Sequence, residues 1–274
     1  MIEWKNIYRG IIMGTSDLIP GVSGGTIAMI LGIYERFVAS ISGILTREWK
    51  KHLAFLFPLG VGILGAMYLL SGLIEWLFEH YPYQLQFLFL GLIAGMIPML
   101  FSKSEYKTNF KISHWLLLVI AAILVASMLF FKSESVSPAI TEYSFGTYVI
   151  LFLSGWLASS AMILPGISGS FLLLLIGIYP TFTYAIHNLV FEALIPLGLG
   201  IGFGLLIMSH ILKYLFQRFY YQTYALILGL VIGSLFVVFP GFESVTDRNI
   251  LSMISLIIGL LAAYGLGKLE KLTD

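Results

Sequence analysis

The chain has 274 residues, of which 59% are apolar and 11% are charged, and its formal net charge is +1. Its charges fall in short clusters between apolar runs long enough to cross a bilayer, which is typical of a polytopic membrane protein. The small net charge gives nucleic-acid binding no electrostatic support, and the absence of cysteine excludes disulfides, thiolate metal sites and thiol catalysis.

The first apolar segment, residues 10–45, is interrupted by the stretch from Asp17 to Tyr34, DLIPGVSGGTIAMILGIY. Proline lacks an N–H group and disfavours helix in the residue before it, while glycine adopts backbone angles that other residues avoid. We therefore expect the helix to break there. Inside a membrane a broken helix is tolerated only where protein or water satisfies its freed backbone groups, so the break marks a candidate binding site.

A second broken segment, residues 146–188, contains LPGISGSFLLLLIGIY. Pro, Gly, Ser and Gly recur there at the spacing of the first copy, and Gly-Ile-Tyr again follows eight residues after the last of these glycines. Uninterrupted apolar runs follow each broken segment, and they cover residues 53–78, 84–101, 113–131, 193–216, 222–240 and 250–267.

Two further motif pairs match in the same order along the chain. They are Pro58-Leu59-Gly60-x-Gly62 with Pro196-Leu197-Gly198-x-Gly200, and Gly91-Leu92-x-x-Gly95 with Gly229-Leu230-x-x-Gly233. We interpret the chain, residues 1–274, as a single membrane domain with one repeat over 10–131 and a second over 146–268. Close contact between helices is the expected purpose of Gly60, Gly62, Gly198, Gly200, Gly202 and Gly204.

The cations predict how the two repeats are oriented. The basic stretch Arg47, Lys50 and Lys51 follows the first broken segment, whereas only His187 and Glu192 stand at that place in the second repeat. Because Lys and Arg are retained on the cytoplasmic side, the two copies are expected to face opposite ways.

The predicted fold is an all-α polytopic membrane protein built from two inverted-topology repeats, as in many secondary transporters. Each repeat would contain a re-entrant broken-helix hairpin and three transmembrane helices, giving six full crossings and both termini in the cytoplasm. The charges do not separate a hairpin from two full crossings, so a description with ten crossings stays open.

The second arm of each hairpin begins at the motif, with small and hydroxylated residues. Unpaired N–H groups and a positive dipole at a helix start attract anions, so the two tips could together hold a phosphate or carboxylate. The simpler alternative is that Ser23, Thr26, Ser168 and Ser170 only cap their own helices.

Three charges flank the first motif, and Met162, Pro180 and Thr181 replace them in the second copy. Asp17, and with less support Glu35, could carry a coupling ion, while Arg36 could attract an anionic head group. The alternative is an ion pair of Asp17 or Glu35 with Arg36 that only stabilises the hairpin.

At these residues the sequence resembles the bacterial polyprenyl-phosphate transporter family. The doubled motif carries the resemblance, which extends over essentially the whole chain. It implies a protein of the bacterial cytoplasmic membrane that returns undecaprenyl phosphate, the lipid carrier of cell-wall precursors, from the outer to the inner leaflet. The motif positions matched to the family are Asp17, Pro20, Gly21, Ser23, Gly24, Gly25, Thr26, Pro165, Gly166, Ser168, Gly169 and Ser170.

Other functions remain open at this point. A secondary carrier of a small anionic metabolite could use the same pair of tips. A membrane phosphatase would need a His nucleophile or metal-binding carboxylates with clustered cations, and the inventory near the motif is too small for this. A scaffold without transport would not explain a buried polar motif. We expect no catalytic residue, metal or cofactor, apart from coupling to a proton or sodium gradient, and the sequence does not predict the oligomeric state.

Overall fold

The structure, a computed structural model, describes residues 2–18, 23–131, 139–241 and 246–273. Every regular element within these ranges is helical. The first half of the chain contains α1 (Asn6–Asp17), α2 (Gly24–Ile30), α3 (Tyr34–Gly43), α4 (Trp49–His80), α5 (Pro82–Lys103), the short α6 (Tyr106–Asn109) and α7 (Ile112–Ser127). The second half contains α8 (Phe145–Ile163), α9 (Gly169–Leu175), α10 (Tyr179–His187), α11 (Phe191–Arg218), α12 (Tyr220–Val238) and α13 (Thr246–Thr273).

Seven of these helices, namely α4, α5, α7, α8, α11, α12 and α13, are long and apolar enough to cross a membrane. The prediction of an all-helical membrane protein is therefore confirmed. Six of them correspond to the six uninterrupted apolar runs of the sequence. The additional one is α8, the first arm of the second broken segment, whose 19 residues rise about 28 Å. By contrast α1, with 12 residues, rises only about 18 Å.

Both Gly-Ile-Tyr triplets end a seven-residue helix in the same way. Gly32 and Gly177 adopt positive φ values of 68° and 75°. The next N–H group, of Ile33 or Ile178, donates to a carbonyl five residues back at 3.0 and 2.9 Å. This is the Schellman ending, in which a left-handed residue closes the helix. The triplet thus turns the chain sharply, and α9 and α10 meet at 118°.

Replacing Gly32 with alanine should destabilise the protein by about 1–2 kcal/mol, because a Cβ disfavours the left-handed conformation. The matched control is Gly198→Ala in α11, where the new Cβ meets nothing within 4 Å and helix propensity gains up to about 1 kcal/mol. Thermal unfolding in detergent micelles would measure both. Equal melting temperatures for the two variants would contradict this account of the triplet.

Four pairs of helices pack along their length: α1 with α4, α8 with α11, α5 with α13, and α7 with α12. Glycine lies at each of these contacts, since a Cβ on Gly62, Gly200, Gly91 or Gly229 would overlap a carbonyl oxygen of the partner helix. Small residues of this kind let helix backbones approach closely in membranes. The second and third motifs of the repeat are therefore the contact points of the four pairs.

Not every glycine of these motifs has this purpose. A Cβ on Gly60, Gly198 or Gly202 would meet nothing within 4 Å, so the expected close contact is wrong for these three. Residues two apart on a helix do not share a face, so Gly60 and Gly62 cannot both contact α1.

The paired helices run in the same direction. In each pair, a step of four residues along one helix moves the contact by four residues along the other. The neighbours are Gly10 with Leu59 and Gly14 with Ile63, Gly200 with Phe152 and Gly204 with Trp156, Gly91 with Leu256 and Gly95 with Leu260, and Gly229 with Leu118 and Gly233 with Ala122. All four close pairs are therefore parallel.

Candidate functional site

The first motif leads into α2, and its described residues, which we call the first tip, lie beside the end of α1. The Ser23 hydroxyl accepts from the Thr26 N–H at 3.3 Å and lies 3.2 Å from the Thr26 hydroxyl. Ser23 and Thr26 are each only 1% exposed. Ser23 therefore caps its own helix, as the simpler alternative proposed. The predicted site residues Pro20 and Gly21 lie outside the described residues.

Asp17, the last residue of α1, lies against the start of α2. The Gly24 N–H donates to Asp17 Oδ1 at 2.5 Å, and a Cβ on Gly24 would come within 2.8 Å of Asp17 Oδ2. A carboxylate is favourable there because a helix N-terminus carries partial positive charge. The start of α2 is thus already occupied by an acidic side chain of the chain itself.

The second motif forms a similar tip without a carboxylate. The Ser168 hydroxyl accepts from the Phe171 N–H at 3.4 Å and lies 2.9 Å from the Ser170 hydroxyl. Met162 stands where the first copy has Asp17, and Gly169 packs against the Ala158 carbonyl. The charge at the two tips is therefore asymmetric.

The structure brings the two motifs into contact. The Gly166 N–H donates to the Thr26 hydroxyl at 3.0 Å, and the Tyr34 hydroxyl donates to the Ile163 carbonyl at 3.0 Å. Gly25 faces the same carbonyl, since a Cβ added there would lie 2.9 Å from it. Two stretches about 140 residues apart in the sequence thus meet at one buried place.

Arg36 lies apart from this place. It pairs with Glu3, its guanidinium lies 4.6 Å from the centre of the Phe55 ring, and its side chain is half exposed. Gly14, near the end of α1, contacts Ile63 of α4. Ile63 lies eight residues beyond Phe55, which is a rise of about 12 Å along α4. Arg36 therefore lies near the start of α1, away from the two motifs, and its position does not support its predicted place in the head-group site.

Glu35 also has a different partner from the one that the sequence suggested. Its Oε1 accepts from the Tyr224 hydroxyl at 2.7 Å. Since the salt bridge of Arg36 is with Glu3, the suggested ion pair of Asp17 or Glu35 with Arg36 is wrong. Glu35 instead links α3 to α12 across the two halves of the chain.

Two features of the first hairpin were not predicted from the sequence. Tyr34 was seen only as part of a repeated triplet, although its hydroxyl contacts the second half. Arg9, a cation near the start of α1, is only 1% exposed, and its Nη1 donates to Asn6 Oδ1 at 2.9 Å. The only sequence signal for this pair is the three-residue spacing of two polar residues in α1. Among the described side chains, no cluster of three or more His, Asp or Glu could hold a metal ion.

Known proteins place the chain in a family. The family described as undecaprenyl phosphate translocase-like matches residues 13–257. A polyprenyl-phosphate transporter of Staphylococcus aureus (strain NCTC 8325 / PS 47) is 41% identical over 275 residues, which cover 97% of each chain. A polyprenyl-phosphate transporter of Vibrio cholerae serotype O1 (strain ATCC 39315 / El Tor Inaba N16961) is 36% identical over 88% of this chain and 79% of the relative.

No solved structure matches the chain. The family match covers most of the sequence and includes both motifs, and both relatives exceed one third identity over most of their length. The chain therefore belongs to the undecaprenyl phosphate translocase-like family.

Proposed function

We propose that this protein transports undecaprenyl phosphate across the bacterial cytoplasmic membrane, from the outer to the inner leaflet, so that the carrier is reused for cell-wall precursors. The observation that carries the proposal is the contact between the two hairpin tips, where the Gly166 N–H meets the Thr26 hydroxyl. The names of the two relatives supply the substrate class. The tips supply buried hydroxyl and amide groups, which suit a phosphate.

The parallel helix pairs support two inverted repeats. Tyr81 alone joins α4 to α5, and Phe219 alone joins α11 to α12, so these neighbours are antiparallel. If α4 runs upward, α5 and its parallel partner α13 run downward. Residues 104–111, which join α5 to α7, are too few to cross the membrane, so α7 and its parallel partner α12 run upward. Then α11 runs downward, opposite to its equivalent α4. Such repeats are typical of transporters whose halves rock around a central site.

The same directions support a cytoplasmic position for both termini. They place the start of α1, α4, α7 and α12 at one face, together with the end of α5, α11 and α13. The cations near these ends are Lys5, Arg9, Arg36, Arg47, Lys50, Lys51, Lys103, Lys107, Lys111, Lys213, Arg218 and Lys268. By the positive-inside rule this face meets the cytoplasm.

The head group would bind where the two tips meet, while the polyprenyl chain stays in lipid. Residues of α2 are buried throughout, so the tips must separate before a phosphate can enter. An outward opening would expose the tips to the outer leaflet, and an inward opening would expose them to the inner leaflet. This alternation between the two openings is alternating access. Asp17 would then couple the movement to an ion gradient, because its carboxylate and the incoming phosphate compete for the Gly24 N–H.

Reconstituted liposomes would test the proposal. Labelled undecaprenyl phosphate in the outer leaflet should become protected from an external reagent only when the protein is present. Short water-soluble phosphates in excess should not slow this protection. If they abolish it and are themselves taken up, the protein is a carrier of small anions instead.

A further inference from the structure

A cleft of about 280 Å³ lies between α5 and α13, near the ends of both helices. Gly95 packs so closely on Ala263 that a Cβ on the glycine would lie 2.8 Å from the alanine methyl group. The cleft is lined by Gly95, Met96, Met99, Ser102, Lys103, Ala263, Tyr264 and Lys268.

The lining combines an apolar floor with a positively charged rim. Met96 is buried at 1% exposure and Ala263 at 4%, so the inner wall is apolar. Lys103 and Lys268 are the only charged residues among those that line the cleft, all of which the structure describes. The Ser102 and Tyr264 hydroxyls add hydrogen-bonding groups. A pair of lysines in a lining without a carboxylate attracts an anion.

Two other cavities among the described residues differ in charge. A cavity of about 730 Å³ beside α6 contains Lys107 together with Glu105, whose charges are opposite. A third, of about 240 Å³, contains Lys50 as its one charged residue, among apolar side chains. Of these three, only the cleft between α5 and α13 carries two cations without a carboxylate.

We propose that this cleft binds the phosphate head group of an anionic phospholipid from the surrounding leaflet. Basic pockets between transmembrane helices on the cytoplasmic side bind acidic lipid head groups in this way. The volume is below the 300–1,000 Å³ typical of drug-sized ligands, so it admits a head group while the acyl chains lie along the helices. This site is separate from the hairpin tips and does not depend on the proposed substrate.

Native mass spectrometry of the full chain would test the site, with dioleoyl phosphatidylglycerol and dioleoyl phosphatidylcholine as probes. The wild type should retain phosphatidylglycerol in preference to phosphatidylcholine. The double variant Lys103→Gln, Lys268→Gln should bind phosphatidylglycerol about thirtyfold more weakly, from the usual contribution of two lysines near an acidic lipid surface. A double variant with Lys103→Arg and Lys268→Arg keeps both charges and should retain phosphatidylglycerol as the wild type does.

The matched control is Lys51→Gln, Lys213→Gln, which removes two lysines of the same face outside the cleft and should leave retention unchanged. Equal retention by wild type and the cleft variant would overturn the proposal, as would equal retention of the two lipids. Displacement by millimolar inorganic phosphate would show a site for free phosphate instead. Displacement by undecaprenyl phosphate at equal concentration, with no preference for phosphatidylglycerol, would assign the cleft to the transport route.

Discussion

Replacing Gly25 with leucine should lower transport of undecaprenyl phosphate by about 5- to 150-fold, since overpacking a tight contact costs about 1–3 kcal/mol. Gly25 faces the Ile163 and Met162 carbonyls, at 2.9 and 3.2 Å from the position that a Cβ would take. A leucine side chain would therefore separate the two tips. Helix α2 itself should persist, because leucine is a better helix former than glycine.

The control for this variant is Gly72→Leu in α4, where an added Cβ would meet nothing within 4 Å. It should transport at the rate of the wild type. Gly25→Ala should give an intermediate rate, because it adds the close contact without the bulk. The liposome protection assay gives the rates, and circular dichroism of the purified variants shows whether the helices are intact. Wild-type transport by the folded Gly25→Leu variant would contradict a head-group site between the tips.

Replacing Asp17 with asparagine should abolish the response of transport to an imposed ion gradient. The asparagine oxygen can still accept from the Gly24 N–H, so the hairpin should keep its shape while its charge is lost. One charge moved across 100 mV is worth about 2.3 kcal/mol, which is roughly a fiftyfold bias in accumulation. The variant should lose this bias and keep downhill exchange.

Proton and sodium gradients imposed separately on the same liposomes would measure this effect and would identify the ion. Glu35→Gln is the matched control, because it also removes one carboxylate but acts at the bond to Tyr224. We expect it to retain the response. A normal response by Asp17→Asn would show that Asp17 does not carry the coupling ion, and a lost response in Glu35→Gln alone would transfer that role to Glu35.

Much of the candidate site was predictable because its residues have unusual backbone chemistry. Pro, Gly and Ser in an apolar segment predict a broken helix, and a second copy at the same spacing predicts two such breaks. Gly166 and Thr26 do form a direct contact. The bond itself was not predictable, since it depends on how the two halves pack and not on any local pattern.

The position of Arg36 shows that closeness in the sequence does not predict closeness in the structure. Arg36 follows Tyr34 by only two residues, and that closeness suggested a place in the head-group site. However, helix α2 separates the motif from Arg36, and the turn at Gly32 leaves Arg36 beside Glu3, near the start of α1. The Glu35 bond to Tyr224 was unpredictable for the same reason, because its partner lies 189 residues away.

The glycine motifs were predictable in kind but not in detail. Small residues in apolar helices indicate close packing, and Gly62 and Gly200 confirm it. The sequence could not tell that Gly60 and Gly198 would face away, since both members of each motif repeat equally well. Only the direction of the partner helix decides which glycine lies at the contact.

The most direct measurement is photolabelling with an undecaprenyl phosphate analogue that carries a diazirine beside its phosphate. After irradiation in liposomes, peptide mass spectrometry should find the label in both motifs, at residues 23–26 and 165–170 of the same protein, and excess unlabelled lipid should remove it. Label confined to one motif, or found only in the cleft between α5 and α13, would contradict a single head-group site formed by the two tips.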